Sequence, residues 1–249
     1  MFGILDLPWW GYIASALVLT HLTIIAVTLY LHRHQAHRAF HLHPVVSHSC
    51  RLWLWLTTGM ITREWVAVHR KHHANRDRAG DPHSPHLFGI HRVLWGGVLL
   101  YMKEADTPET VKRYGHGTPD DWIERNIYST HARLGVVLLG IADVMLFGLA
   151  GTLVFLVQML WIPFFAAGVI NGLGHWFGYR NWLTDDASTN IVPWGILIGG
   201  EELHNNHHAD PTSAKLSSKW YEFDIGWLYV RVLRQCGLLR LRSVGDAAS

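Results

Sequence analysis

From Trp9 to Leu31 the chain carries no Lys, Arg, Asp or Glu. The run is about 23 residues, long enough for one helix to cross a bilayer. A second apolar region runs from Leu134 to Gly174, with Asp143 as its one charged residue. Gly148-Leu149-Ala150-Gly151 interrupts it and predicts two helices, about 134–150 and 152–174, joined by a tight turn. The first of these is short for a span. All 21 Lys and Arg fall within 33–133 or 180–242. The positive-inside rule then puts both hydrophilic blocks, 32–133 and 175–249, in the cytoplasm, with the N-terminus and the turn outside. The pattern predicts an all-α membrane protein: about three transmembrane helices plus interfacial helices, and a cytoplasmic cap. No linker or low-complexity segment divides residues 1–249, which read as one domain.

Val45–Ile61 is apolar and rich in Trp, but His48 and Arg51 interrupt it. As a span it would separate the histidines before and after it onto opposite faces. A helix lying in the interface, with Trp53 and Trp55 at headgroup level, keeps them together and is the preferred reading. Leu94–Tyr101 and Ile191–Gly200 read as further short interfacial or re-entrant pieces. Composition agrees: 49% of residues are hydrophobic and only 16% charged, where a soluble protein would show about 25% charged. The formal charge of +2 and the lack of a basic stripe with interleaved aromatics argue against nucleic acid. Two isolated cysteines give neither a zinc motif nor a disulfide framework and suit a reducing compartment. MFGILDLPWW lacks a basic n-region and a cleavage site and does not read as a signal peptide.

The 19 histidines change the picture. The pattern H-x-x-H-H occurs twice, as His69, His72, His73 and as His204, His207, His208. On a helix, positions i, i+3 and i+4 share a face, so each set presents three imidazoles together. A lone histidine is usually a satisfied polar residue. Two such faces beside membrane segments on one side point to metal, and six ligands imply two ions or a cluster. A third group, LHRHQAHRAFHLH at 31–43, follows the first span. There α-helical geometry alone is indecisive: His34, His37 and His41 share a face better than His32 and His37 do, since a five-residue step turns about 140° away. His175 ends the last span at the same level. Imidazole suits iron, zinc, copper and nickel alike.

With these residues in place the chain resembles the integral-membrane fatty acyl desaturases, specifically the stearoyl/acyl-CoA type with histidine boxes and two irons, as a bacterial member. The resemblance covers residues 32–227. It rests on H-x-x-x-x-H (His32, His37), H-x-x-H-H (His69, His72, His73) followed by Asp81-Pro82-His83-Ser84, N-x-x-x-H (Asn171, His175) and H-N-x-H-H (His204, Asn205, His207, His208). It implies that those nine histidines hold two Fe2+ ions, with Asn171 contacting one metal through water, and it favours His32 and His37 in the first box. It implies oxygen-dependent insertion of a cis double bond into a saturated acyl chain, near carbon 9 and carried by coenzyme A. The family usually has two spans before the first box; here one fits. Hydroxylases and ketolases of the same superfamily share the boxes. A metal transporter would need ionisable residues along its spans, which hold little besides His21 and Asp143.

The remaining expectations follow. Asp81, Glu201 and Glu202 lie beside the boxes and are read as acceptors for the second ring N–H of ligand histidines. His83, His86, His91, His116 and His131 read as surface or supporting residues. No haem, flavin or cysteine-cluster motif occurs, so electrons are expected from a separate ferredoxin- or rubredoxin-like donor. Arg63, Arg70, Lys71, Arg76 and Arg78 could meet it; Arg180, Lys215 and Lys219 together with the first group could instead hold coenzyme A phosphates. The acyl tail is expected to run along the first span past Ala16 and Thr20, which share a face. Asp143 and His21 sit at matching depth and could pair; alternatively a protonated Asp143 bonds a backbone carbonyl or Gln158. The protein is expected in the plasma membrane as a multi-pass protein, its site facing the cytoplasm.

Overall fold

The computed structural model describes residues 3–242. Helix α1 (Trp9–Ala26) continues without a break as a π-helical segment, Val27–Ala36. The two form one apolar helix long enough to cross a membrane, reaching five residues beyond the end expected at Leu31. A short strand β1 (Phe40–Leu42) leads into α2 (Pro44–Thr57), whose N-terminus is capped by His43 Nδ1 accepting from Val45 N–H. Then come α3 (Thr62–Asn75), α4 (Pro85–Phe88), α5 (Ile90–Ala105) and α6 (Pro108–Tyr114). A π-helical turn at Glu124–Tyr128 precedes α7 (Ala132–Phe147). Gly148, with φ of 63°, makes the turn into α8 (Leu149–Trp161), which runs on through a π segment, Ile162–Ile170, and α9 (Asn171–Leu173). Leu149–Leu173 is the second helix long and apolar enough to cross. At 16 residues α7 spans only about 24 Å. The chain closes with β2 (Trp194–Gly195), α10 (His204–Ala209), β3 (Phe223–Asp224), α11 (Ile225–Gln235) and β4 (Leu239–Leu241). Strand β1 pairs antiparallel with β4 and β2 parallel with β3.

Helix α2 lies against α1 and α7. Trp53 donates its indole N–H to Thr23 Oγ1 of α1, and Trp55 donates to the His131 carbonyl. Arg51, the charge that interrupts this apolar segment, is buried in a cage made by Asp121 and Glu124. Leu94–Tyr101 lies within α5, which packs on the Ile162–Ile170 segment so closely that a Cβ on Gly97 would stand 2.1 Å from the Ala167 carbonyl.

Arg33 is 1% exposed. Its guanidinium donates to Thr28 Oγ1, the Gly199 and Ala214 carbonyls, and both oxygens of Asp224. All five donors are satisfied, and the helix is bolted to the C-terminal part of the cap.

The structure bears on two readings of the apolar helices: it packs Ala16 and Thr20 into the helix contacts, and of the alternatives for Asp143 it selects Gln158. Ala16 packs with Phe147 and Val154 at the contact of α1 with the α7–α8 hairpin. Thr20, 2% exposed, donates its hydroxyl to the Ala16 carbonyl. Both are therefore occupied by helix packing. Asp143 and His21 do not pair. Asp143 accepts from Gln158 Nε2 at 2.7 Å, and His21 Nε2 meets the Tyr229 hydroxyl at 2.6 Å. Helical side chains lean toward their own N-terminus. Across the hairpin Gln158 therefore leans toward the Gly148 turn and Asp143 away from it, which closes their offset in depth.

Candidate metal centre

Nine histidines converge where the C-terminal ends of both apolar helices meet α3 and α10. His32, His37, His69, His73 and His207 form one group, and His72, His175, His204 and His208 a second. Within each group the potential ligand nitrogens all lie within 4.8 Å of one another. The first box is explained by backbone geometry. The segment holding His32 is π-helical, and His37 N–H donates to the His32 carbonyl at 3.1 Å. That i→i+5 bond closes a turn over five residues, so His32 and His37 face the same way, with ring centroids 4.8 Å apart. His34 instead meets the Phe40 carbonyl, and His41 is exposed.

Four histidines are fixed by carboxylates at Nδ1: His32 by Glu201 (2.8 Å), His72 by Asp81 (2.9 Å), His175 by Asp77 (2.8 Å) and His208 by Asp186 (2.9 Å). Asp77 and Asp186 escaped the sequence reading. Asp77 follows the second box by only a few residues, but Asp186 lies far from its histidine in sequence and nothing local marks it. Glu202 does not serve a ligand. It accepts from the backbone N–H of Ile198 and Gly200 and shapes that loop. Burial alone would raise the Asp81 carboxyl, but the charge and hydrogen bond of His72 outweigh it and hold the group at about 2. Burial drives His37, His69, His73, His204, His207 and His208 well below the ordinary histidine range, and neighbouring positive charge adds to it. Neutral imidazole is the ligating form.

The donor set fits metal on its own geometry. His72 and His208 both give their Nδ1 protons to carboxylates, so both Nε2 atoms present lone pairs, 3.4 Å apart. His175, oriented the same way by Asp77, brings its Nε2 to 3.0 Å from that of His204. The two lone pairs of His72 and His208 repel at that distance, and a bound cation removes the repulsion.

Helix α10 explains the sequence HNNHH. Its histidines face the centre while Asn205 and Asn206 face the cap. Asn205 Oδ1 accepts from Asn181 N–H and Trp182 N–H. Asn206 donates to Glu222 and the Leu216 carbonyl. Of the other histidines, His83 is buried against His72, with centroids 4.5 Å apart, and His86 donates to the His175 carbonyl.

An apolar cavity of about 730 Å³ opens beside both groups, within the usual size for a small-ligand site. His32, His69, His72, His204 and Asn171 line its metal end, with Trp65 stacked on His69. Ile24 and Val27 contribute from the first helix, Val136 and Val137 from α7, and Gln158, Met159 and Ile162 from the second apolar helix. Ala16 and Thr20 are outside this lining. The exposed residues at its rim include Met102, Asp106 and Arg133, with Glu64 and Tyr101 further in.

The cationic residues separate into two sets. Arg70 donates to four backbone carbonyls, those of Gln35, Ala36, Tyr114 and His116. Lys71 pairs with Glu104, and Arg180 donates to Thr184 and the Asp186 carbonyl. Arg63, Lys215 and Lys219 are exposed.

A family model described as fatty acid desaturase matches residues 7–232. The chain is 30% identical over 233 residues to the Delta-9 acyl-lipid desaturase 1 of Arabidopsis thaliana, covering 92% of this chain and 74% of that protein. It is 29% identical over 235 residues to an sn-1 stearoyl-lipid 9-desaturase of Anabaena variabilis, covering 92% and 83%. It is also 28% identical over 256 residues to a hex-5-enoyl-[acyl-carrier protein] acetylenase of Moorena producens, covering 94% and 78%.

Proposed function

The chain belongs to the fatty acid desaturase family, and on that premise we propose that it introduces a cis double bond at carbon 9 of a saturated acyl chain esterified to a membrane lipid. The observation that carries this reading is the pair of histidine groups with clustered ligand nitrogens, opening on one apolar cavity. Held by the two groups, iron would supply one-electron redox chemistry toward dioxygen. The reaction balances as one acyl CH2–CH2 unit, O2, two electrons and two protons giving one CH=CH unit and two waters. The chain's own part is to seat two neighbouring methylenes beside the metal end and to keep water out. The apolar walls from the first helix, α7 and α8 do both. Asp77, Asp81, Asp186 and Glu201 keep the histidine protons on Nδ1 and the ligand nitrogens free.

The lipid carrier is preferred to coenzyme A for two reasons. Of the cations that could have met its phosphates, Arg70, Lys71 and Arg180 are committed to partners within the protein, and none of the exposed Arg63, Lys215 and Lys219 lines the cavity. The cavity lining carries two carboxylates, Asp106 at the rim and Glu64 further in, against a single guanidinium, Arg133, and like charges repel a polyphosphate. The relatives named above as acyl-lipid and stearoyl-lipid desaturases agree with this reading.

The topology is part of the proposal. Both apolar helices end at the metal centre, so α7 must carry the chain back to the far side and makes the third pass. The positive-inside pattern supports a cytoplasmic centre in the plasma membrane.

Expression in a host without its own desaturase tests the reading. After a pulse of labelled stearate, intact lipids are separated by class and the double bond is located by mass spectrometry. Cis-9 monoenes should appear first within glycerolipids. Label appearing first in an acyl-CoA pool would overturn the carrier assignment, and hydroxylated chains without alkenes would overturn the reaction.

A further inference from the structure

We propose that the mouth of the apolar cavity selects its lipid by headgroup, accepting a phospholipid that carries a primary ammonium beside its phosphate, as phosphatidylethanolamine does. This rests on the reading of the protein as an acyl-lipid desaturase and states which class of lipid that reaction takes. The cavity is apolar and reaches the metal end, so it receives the acyl chain of one lipid as readily as another. Discrimination between lipids falls to the polar groups at the opening.

Four such groups line it: Glu64 of α3, Tyr101 and Asp106 at the end of α5, and Arg133 at the start of α7. None of these side chains makes a hydrogen bond or an ion pair with another described residue. Other charges of the cap behave differently: Arg51 is held by Asp121 and Glu124, and Lys71 by Glu104. Asp106 and Arg133 are exposed and water can serve them, but Glu64 and Tyr101 are half-buried. A carboxylate withdrawn from water without a partner is costly. A bound cation would offset that cost.

The acidic groups stand together. Burial first, and the charge of Asp106 second, push the Glu64 carboxyl above its ordinary range. Burial, and then the charges of Glu64 and Asp106, raise the Tyr101 phenol. Two carboxylates and a phenol oxygen, each within the field of the others, can accept from all three N–H donors of a primary ammonium. A quaternary ammonium has no N–H to give. Arg133 comes from a different helix, and its planar fork suits the free oxygens of a phosphodiester. A lipid with a phosphate alone would meet Arg133 but face two uncompensated carboxylates. A sugar headgroup would leave Arg133 unmatched.

The surroundings of the mouth point to the bilayer as the source of the ligand. On α5, Trp95, Leu99 and Met102 are 71%, 66% and 51% exposed and share a face with Asp106, which caps the helix. On α7, Val137, Ile141 and Val144 are also exposed and share a face with Arg133. Exposed apolar surface of this extent is typical of membrane contact, and tryptophan favours the headgroup boundary. The opening thus lies where apolar surface gives way to charge on two helices at once. That is the level at which a leaflet presents its phosphates and ammonium groups.

The test gives iron-loaded, full-length enzyme in detergent micelles an equimolar mixture of distearoyl lipids, with dithionite and methyl viologen as reductant. The lipids are phosphatidylethanolamine, phosphatidylcholine, phosphatidylglycerol and a galactosyl diacylglycerol, and stearoyl-CoA is a further substrate. Phosphatidylethanolamine should turn over ~10-fold or more faster than phosphatidylglycerol, the margin of one charge-assisted hydrogen bond. Combining Glu64→Gln with Asp106→Asn should collapse that ratio towards one. Arg133→Gln should narrow the margin of phosphatidylethanolamine over the galactolipid by a similar factor. Lipid retained by metal-free protein re-isolated from the same mixture, read by mass spectrometry, should follow the same order. Thermal midpoints should stay at the wild-type value, since none of these side chains has a partner to lose; a fall that accompanies loss of all turnover would make the residues structural and overturn the proposal. Equal turnover of the ethanolamine and glycerol lipids, or a preference untouched in the double variant, overturns it while cis-9 products leave the desaturase reading standing. Equal use of phosphatidylcholine overturns the assignment to a primary ammonium. Faster turnover of stearoyl-CoA overturns the lipid carrier and this proposal with it. No alkene from any substrate would sink the desaturase reading itself.

Discussion

Acidification should unfold the metal-free protein within a narrow pH range. His37, His69, His73, His204, His207 and His208 are held well below their ordinary pKa, by burial first and by neighbouring positive groups second. In the unfolded chain each titrates near ~6.5. The folded values are the lower ones, so the unfolded state takes up protons first. Stability is therefore intact above about pH 6.5 and declines as pH falls toward the folded values. At pH 5.5 each such histidine can cost at most about 1.4 kcal/mol, the limit set by its unfolded titration, and six at most about 8 kcal/mol. Even if His37 and His69 share one proton between Nε2 atoms 2.7 Å apart, the limit for the remaining five is about 7 kcal/mol. A typical protein has only about 5–15 kcal/mol in total. The assay is the thermal midpoint of chelator-stripped protein, read by tryptophan fluorescence from pH 8 to pH 5, beside the iron-loaded form. The stripped protein should lose its fold steeply below pH 6.5. The loaded form should hold until iron leaves, with proton uptake at that step. A flat midpoint between pH 7.5 and 5.5, or a slope of a single proton, would refute the reasoning.

Three further outcomes are expected. Asp186→Ala should weaken metal binding by ~10–100-fold, the usual loss when the partner of a ligand histidine is removed, measurable by competition with a chromophoric chelator. Gly97→Val should separate α5 from the Ile162–Ile170 segment, destabilise by about 1–3 kcal/mol or more and distort the cavity wall; an unchanged thermal midpoint would contradict the close crossing. In double-mutant cycles, Asp143→Asn should couple to Gln158→Leu by about 0.5–3 kcal/mol and be additive with His21→Ala; coupling to His21 instead would contradict the hairpin geometry.

Features written in local periodicity were legible in the sequence. The long apolar runs give the two helices long and apolar enough to cross a membrane, and the i, i+3, i+4 spacing brings each H-x-x-H-H set to one face. The first box was not legible by geometry, because an α-helical period points His32 and His37 apart and no residue between them announces a π turn. Asp186 reaches His208 only through the tertiary fold, so no local pattern reveals it. Ala16 and Thr20 looked suited to an acyl path because they are small, but small residues serve close helix packing equally well, and α8 takes that face. The split of cations between structural and exposed roles depends on which carbonyls lie nearby. Arg70 shows this: its four backbone partners come from two separate segments.

The π-helical bond from His37 to His32 and the five bonds of Arg33 are all made by protein atoms. The register of the first box is therefore set without help from a bound ion. Membrane insertion and folding can precede metallation, and the finished chain waits as a receptor. Imidazole ligands accept several divalent ions, with selection left largely to geometry and availability. On the proposed iron chemistry, the abundance of the chain in an iron-starved cell should then hold steady while its activity falls, as zinc or another competitor fills the site.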